Sequence, residues 1–483
     1  MLTIVPRSTF GQPTKPASTS VFAHIYAHIY LHKPLSMQHV VIIGNGISGI
    51  TTSRWVRKLS DHKITVISSE TDHFYSRTAL MYIYMGHMRA EDTKPYEDWF
   101  WKKNRINLLR AHVDEIDFKG KQLSLNNGQS MKYDKLVLAL GSKSNMFGWP
   151  GQELDGVGGL YHMQDLENME KHSDGLQRAV IVGGGLIGIE MAEMFHSRHI
   201  PVTMLVREPA YWSNVLPMEE SKMVSDHIQK NDIDLRLGVN LDSIIDDGNG
   251  RAKAVKIKET GEELPCGYVG LTAGVSPNVG WLKESPVEIE RGIMVDENLQ
   301  TSVSDVYAIG DCAQLRNPKP GRRNIEAIWY TGRMMGETVA YNICGKQKAY
   351  DPGLWFNSAK FIDIEYQVYG EAPAQIPEDM ATLFWKHSDN EKCIRINYDK
   401  SSGAIRGFNL FGVRYRHEVC EKWILSKTHV EEVLQNLGMA NFDPEFYKEY
   451  EQGVIDLYNK QSGKSLKLKQ KRGLRAVLAF LKN

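Results

Sequence analysis

The chain has 483 residues, 42% hydrophobic and 24% charged, the make-up of a folded protein of about three domains, each large enough for its own core. That excludes a small disulfide-stapled module and a disordered or collagen-like chain. Fifty-eight Lys and Arg balance 58 Asp and Glu, so no overall field favours nucleic acid, and a charged partner has to be met by a local patch. The five cysteines, Cys266, Cys312, Cys344, Cys393 and Cys420, are scattered and form no CxxC or CxxxxC pair, which fits reduced thiols in a cytoplasm.

Residues 1–36 carry Arg7, Lys15 and Lys33 and no acid. They read as a leader, disordered or absent from the mature chain, with Met37 as the functional start because MQHVVIIGNG opens directly on a buried-type strand; a targeting leader is the other reading. His24, His28 and His32 fall at i, i+4 and i+8, but in a low-complexity stretch they carry no metal assignment. No run of about 18 apolar residues occurs, so no spanning helix is expected.

From residue 40 onward, short Val/Ile/Leu runs alternate with helical patterns, which predicts βαβ units around a parallel sheet. Two of these units carry a glycine fingerprint. In VVIIGNGISG the glycines are Gly44, Gly46 and Gly49, with Ile47 and Ser48 opening a helix that runs to Leu59. In AVIVGGGLIG they are Gly183, Gly185 and Gly188, with Leu186 and Ile187 opening a helix to about Phe195. The first glycine makes a tight turn, the second lets backbone approach a pyrophosphate, and the third permits close helix packing, while the helix N-terminus offers amide donors. Two such sites in one chain imply electron transfer between two dinucleotides, a flavin and a nicotinamide.

Each unit should also end its second strand in an acid for the adenosine ribose, about 20 residues after the last glycine. KITVISSE delivers Glu70, which lies 70 − 49 = 21 residues after Gly49, with Ser69 as the alternative one register away. In PVTMLVRE the corresponding places hold Val206 and Arg207, followed by Glu208. Arg207 would favour the 2′-phosphate of NADPH and Glu208 would favour NADH, and the choice stays open.

Further motifs carry a resemblance. TSVSDVYAIGDCA (301–313), with Gly310 and Asp311, is similar to the late flavin motif of flavoproteins with two dinucleotide-binding domains. YDKLVLALGS (133–142, with Gly141) and GYVGLTAGVSPN (267–278, with Gly274) resemble the segments that close the FAD and NAD units. Their order resembles the pyridine nucleotide-disulfide oxidoreductase superfamily from residue 40 to about 345. The resemblance implies an α/β fold in which an NAD(P)-binding domain (148–275) is inserted into an FAD-binding domain (37–147 and 276–345). An α+β interface domain (346–438), of a kind used for dimerisation or to cover the flavin, and a basic helical tail (439–483) would follow.

YSRTAL (75–80) is similar to the Y-x-R-P-P-L-S-K stretch of the ferredoxin and rubredoxin reductase and nitrite reductase flavoprotein branch. Arg77 matches the arginine near the flavin phosphates, Thr78 and Ala79 replace the prolines, and Tyr82 stands where relatives carry a lysine near flavin N5. Glu190 matches the glutamate that pairs with that lysine beside the nicotinamide, so its partner is missing and either another cation or other hydrogen bonds must position it. Residues 71–110 contain no cysteine, which excludes dithiol chemistry and a sulfur intermediate there. RRNIEAIWYTGRMMGETVAYNICG (322–345) resembles the helix whose N-terminus faces the flavin pyrimidine edge, with Trp329 and Tyr330 as flavin neighbours or core aromatics.

Residues 459–483 contain eight Lys and Arg and no acid, and Leu474, Val477, Leu478 and Leu481 would line one helical face. Such a helix suits either its own protein or an anionic membrane surface. The combined expectation is an FAD-dependent NAD(P)H oxidoreductase, without metal and homodimeric, that passes electrons to a small redox protein. A peripheral-membrane quinone reductase and a redox-responsive FAD/NAD-binding protein of low turnover are the alternatives.

Overall fold

The computed structural model describes residues 36–442 and 448–469; the three leader histidines and the amphipathic end of the tail lie outside them. A five-stranded parallel sheet runs in the order Val306–Ala308, Lys135–Leu138, His39–Ile43, Lys63–Ser68, Ile106–Arg110. Its three central strands are covered on both faces, which is why their sequences are near-continuous buried runs instead of alternating ones. From His39–Ile43 the chain turns into the helix Ile47–Leu59, whose buried face is built from small and hydroxyl side chains, among them Ser48, Thr51 and Thr52.

That small face receives the helix Trp329–Ile343. A Cβ at Gly332 would stand 2.6 Å from Ser48 Oγ, and one at Gly336 2.5 Å from the Ser48 carbonyl, so two glycines let the backbones approach. Thr52 Oγ1 spans the contact, 3.0 Å from the Ser48 carbonyl and 3.2 Å from that of Gly336. The start of one helix is thereby set against the start of the other.

The chain leaves this sheet after Lys135–Leu138 and returns at Val306–Ala308. Between them it builds a second parallel sheet, ordered Asp234–Leu237, Val202–Val206, Ala179–Val182, Tyr268–Leu271, Val157–Gly158. The helix Leu186–Ser197 follows Ala179–Val182, two residues longer than its periodicity predicts. An antiparallel pair, Ser142–Ser144 with Val275–Pro277, joins the two crossings between the units.

The third unit is a five-stranded antiparallel sheet, ordered Phe356–Phe361, Ile364–Gly370, Ile405–Phe411, Cys393–Asp399, Met380–Lys386. The stretch KFIDIEYQVYG is split by a tight turn at Ile362, where φ is +61°, into two paired strands. The helix Glu451–Ser462, placed in the tail by sequence, buries Val454 and Ile455 in the core of this sheet unit. The opposite side of the sheet shares a core with the second unit, where Phe361, Tyr366 and Phe411 meet Met191, Phe195 and Tyr211. Arg395, 2% exposed, crosses the same interface to Glu220, 0% exposed, through bonds of 2.6 and 2.8 Å.

Candidate functional site

A cleft of about 450 Å³ lies where the carboxyl ends of the first sheet's strands meet the helix Leu186–Ser197. Gly44, Gly46, Ile47, Ser48, Ser69, Glu70, Arg77, Gly141, Ile187, Glu190, Gly310, Asp311 and Trp329, all singled out by sequence, line it. The glycines divide their work as expected. Gly44 has φ +113° and a Cβ there would strike the Ala139 carbonyl at 2.1 Å, whereas a Cβ at Gly49 would strike the Gly44 carbonyl at 2.0 Å. At Gly46 a Cβ would meet nothing within 4 Å, and no side chain caps the helix behind it, so the first amides stay open to the cleft. That is the cradle a diphosphate needs.

Glu70 and Arg77 occupy the cleft together. Arg77 Nη1 and Nη2 donate to the two Glu70 oxygens at 2.9 and 2.6 Å, Tyr75 Oη donates to Oε1, and the Met163 amide reaches Oε1 at 3.1 Å. Burial opposes the charge of Glu70, but the Arg77 guanidinium holds its carboxyl below the usual range. Three donors crowd Oε1 and one reaches Oε2, so Oε2 keeps the acceptor capacity for a sugar hydroxyl. Ser69, the alternative, is exposed at the lip.

Tyr161 and His162 line the same cleft, and no motif pointed to them. Tyr161 Oη donates to Asp311 Oδ2 at 2.9 Å, and burial pushes the Asp311 carboxyl up. Trp329, which lines the cleft, has a buried Nε1 with no hydrogen-bond partner among the described residues. Tyr330, paired with Trp329 in the sequence reading, turns away instead: its ring packs 4.7 Å from Phe356 on the C-terminal sheet, because successive helical residues diverge by about 100°.

Glu190 borders the cleft with no hydrogen bond from the described residues. Burial, reinforced by Glu193 one turn along, pushes its carboxyl up to about 7. Tyr82 supplies no cation and lies partly exposed, its ring 6.0 Å from that of His87.

The second fingerprint repeats the first. Gly183 has φ +130° with its missing Cβ 2.7 Å from the Thr272 carbonyl, Gly188 packs against the Gly183 carbonyl, and Gly185 faces open space ahead of the uncapped helix start at Leu186. Gly274, at φ +92°, turns the chain beside Asn145. Val206 is fully buried, the Arg207 side chain is 72% exposed, and its Nε holds the 18%-exposed Glu208 at 2.8 Å. All five cysteines are buried and none lines the cleft; Cys312 Sγ points to the Leu138 and Ile309 carbonyls, with burial pushing its thiol up to about 12.

Residues 38–336 match the family model of the pyridine nucleotide-disulphide oxidoreductases. The chain belongs to this family. It is similar to rubredoxin-NAD(+) reductase of Ectopseudomonas oleovorans, at 29% identity over 63% of this chain and 80% of that one. It is also similar to an NAD(P)H coenzyme A polysulfide/persulfide reductase of Pyrococcus horikoshii, at 32% identity over 68% of this chain and 74% of that one. Among solved structures, an NAD-dependent persulfide reductase from A. fulgidus shares the fold, with a TM-score of 0.77, 22% identity and coverage of 88% of this chain and 84% of that one. As a member of the family the chain is a flavin-dependent NAD(P)H oxidoreductase, and its two open glycine lips fit FAD and NAD(P)H.

Proposed function

We propose that the chain takes hydride from NAD(P)H and passes the electrons to a small redox protein in the cytoplasm. Two open glycine loops joined to a cleft that no cysteine lines carry this reading, because such a site has no thiol relay and must hand electrons onward from the flavin itself. The likeness to a rubredoxin reductase supports the acceptor class.

When bound, the flavin and the nicotinamide supply the hydride chemistry between them. The side chains bind and orient. The amides behind Gly46 and Gly185 receive diphosphates, Glu70 offers Oε2 to a ribose hydroxyl, and Arg77 beside it balances negative charge. Asp311 would accept from the ribityl end, and Glu190, its carboxyl pushed up to about 7 by burial, would hold the nicotinamide carboxamide. Exposed Arg207 at the second lip favours NADPH over NADH.

Anaerobic visible spectra during stepwise addition of NADH and, separately, NADPH test the reading. The flavin band bleaches, at lower NADPH than NADH, and oxidised rubredoxin or ferredoxin then restores it. A yellow protein bleached by neither coenzyme removes the proposal.

A further inference from the structure

Tyr161 lies in the connection between the strand Val157–Gly158 and the helix Met163–Ser173. The strand is hydrogen-bonded into the second sheet, and the Tyr161 amide donates to Asp165 Oδ2 at 2.7 Å at the start of the helix. By backbone, then, the residue belongs to the second nucleotide unit. Its other hydrogen bonds among the described residues run to the first. Its hydroxyl donates to Asp311 Oδ2 and accepts from the Ser142 amide, each at 2.9 Å. Its carbonyl accepts from Arg77 Nη1 at 2.6 Å, and its ring lies 4.5 Å beneath the Arg77 guanidinium.

Gly141 adds an independent observation. A Cβ there would stand 2.9 Å from Tyr161 Oη, at a φ of +67°. The glycine therefore clears the place that the tyrosine hydroxyl fills. Nothing in a glycine fingerprint requires that hydroxyl; its geometry serves Asp311.

We propose that Tyr161 is the positioning residue for Asp311, fixing the carboxylate toward the flavin's ribityl chain and tying the second nucleotide unit to the FAD site. The inference rests on the FAD reading of the cleft. One Asp311 oxygen is held by a hydroxyl that is itself held by the Ser142 amide, so the carboxylate cannot rotate freely and its other acceptor positions are presented to the cleft that it lines. The groups facing Asp311 are the Tyr161 hydroxyl, the Arg77 guanidinium, Ser142 and its own backbone.

The test is FAD affinity, read by quenching of flavin fluorescence on titrating apoprotein, for the wild type, Tyr161→Phe, Asp311→Asn and the double variant. Phenylalanine keeps the ring under Arg77 and removes only the hydroxyl. Tyr161→Phe should weaken FAD binding about tenfold, the worth of one hydrogen bond to a charged group, and should add nothing on top of Asp311→Asn. Unchanged affinity in Tyr161→Phe, or an equal tenfold loss in the Asp311→Asn background, overturns the proposal. Should Asp311→Asn not fold, infrared spectra of the apoproteins decide: the protonated-carboxyl band of Asp311 should persist to higher pH in Tyr161→Phe than in the wild type, and coincident titrations overturn the proposal. A wild-type apoprotein that takes up no FAD defeats the flavin reading itself, a different outcome from a wild type and variant that bind alike.

Discussion

Lys360 Nζ lies 2.8 Å from Glu193 Oε1, so the first strand of the C-terminal sheet places a cation one helical turn from Glu190. The lysine that relatives are expected to carry at Tyr82 is absent, and this cation comes from another unit of the fold. It reaches Glu190 indirectly, by offsetting the charge of Glu193. Lys360→Met should therefore raise the Glu190 carboxyl above about 7. The pH profile of flavin reduction by NAD(P)H checks this: its inflection should move to higher pH in Lys360→Met and vanish in Glu190→Gln.

Glu190 also makes a stability prediction. Its ordinary value is 4.5 and its folded value about 7, so between these the folded state binds more protons than the unfolded one. Stability falls as pH rises across that window, and the loss is complete above it. Denaturant titrations at pH 4.5 and pH 8 should show the wild type losing about 3 kcal/mol through this group, with that part of the slope missing in Glu190→Gln. A variant with the wild-type slope would show that the carboxyl is not held up by burial.

Gly185 and Gly183 should respond to substitution in opposite ways. A side chain at Gly185 meets no protein atom, and φ there is −107°, so Gly185→Asp should fold and keep FAD while its carboxylate repels the coenzyme diphosphate. Stopped-flow absorbance should find flavin reduction by NAD(P)H lost. Gly183→Ala, at φ +130° and 2.7 Å from the Thr272 carbonyl, should instead lower the melting temperature. Intact coenzyme reduction in Gly185→Asp would move the nicotinamide nucleotide out of the second unit.

Coenzyme choice is expected to turn on Arg207. Its guanidinium is exposed at the lip while Glu208 is drawn in beside it, and Val206 leaves no acid at the strand end. Arg207→Ala should lower kcat/KM for NADPH about tenfold relative to NADH, the worth of one charge-assisted phosphate contact. An unchanged ratio would leave the preference to other residues.

Arg395 and Glu220 join the C-terminal sheet to the second unit without solvent. Removing only the cation strands a buried carboxylate, so Arg395→Met should cost about 3–5 kcal/mol, whereas Arg395→Met with Glu220→Leu should recover most of it. Urea unfolding midpoints of the three proteins measure the difference. Equal losses in single and double variants would mean that the pair contributes beyond neutralising itself.

The strand–glycine–helix units were legible because their signals are local. An unbroken apolar run marks a doubly covered strand, Gly44 and Gly183 sit at positive φ in turns that no other residue makes cheaply, and Gly46, Gly49, Gly185 and Gly188 follow at the fixed spacing that leaves the loop open and the helix close, so all six could be placed from spacing alone. Asp311, Arg77 and Glu190 came from motif order. What those residues do to one another was not in the pattern. Glu70 and Arg77, expected to serve different parts of FAD, grip each other. Tyr161 reaches Asp311 across 150 residues of sequence, Lys360 reaches Glu193 across 167, and Arg395 reaches Glu220 across 175. Such pairs leave no periodicity, because the partner of a polar side chain is set by how whole sheets pack rather than by its neighbours in the chain. Sequence by itself determined the two nucleotide folds and the residues at their lips; the tertiary structure alone decided which charges are balanced inside the cleft, since burial makes an unpartnered charge costly and only packing brings distant partners within reach.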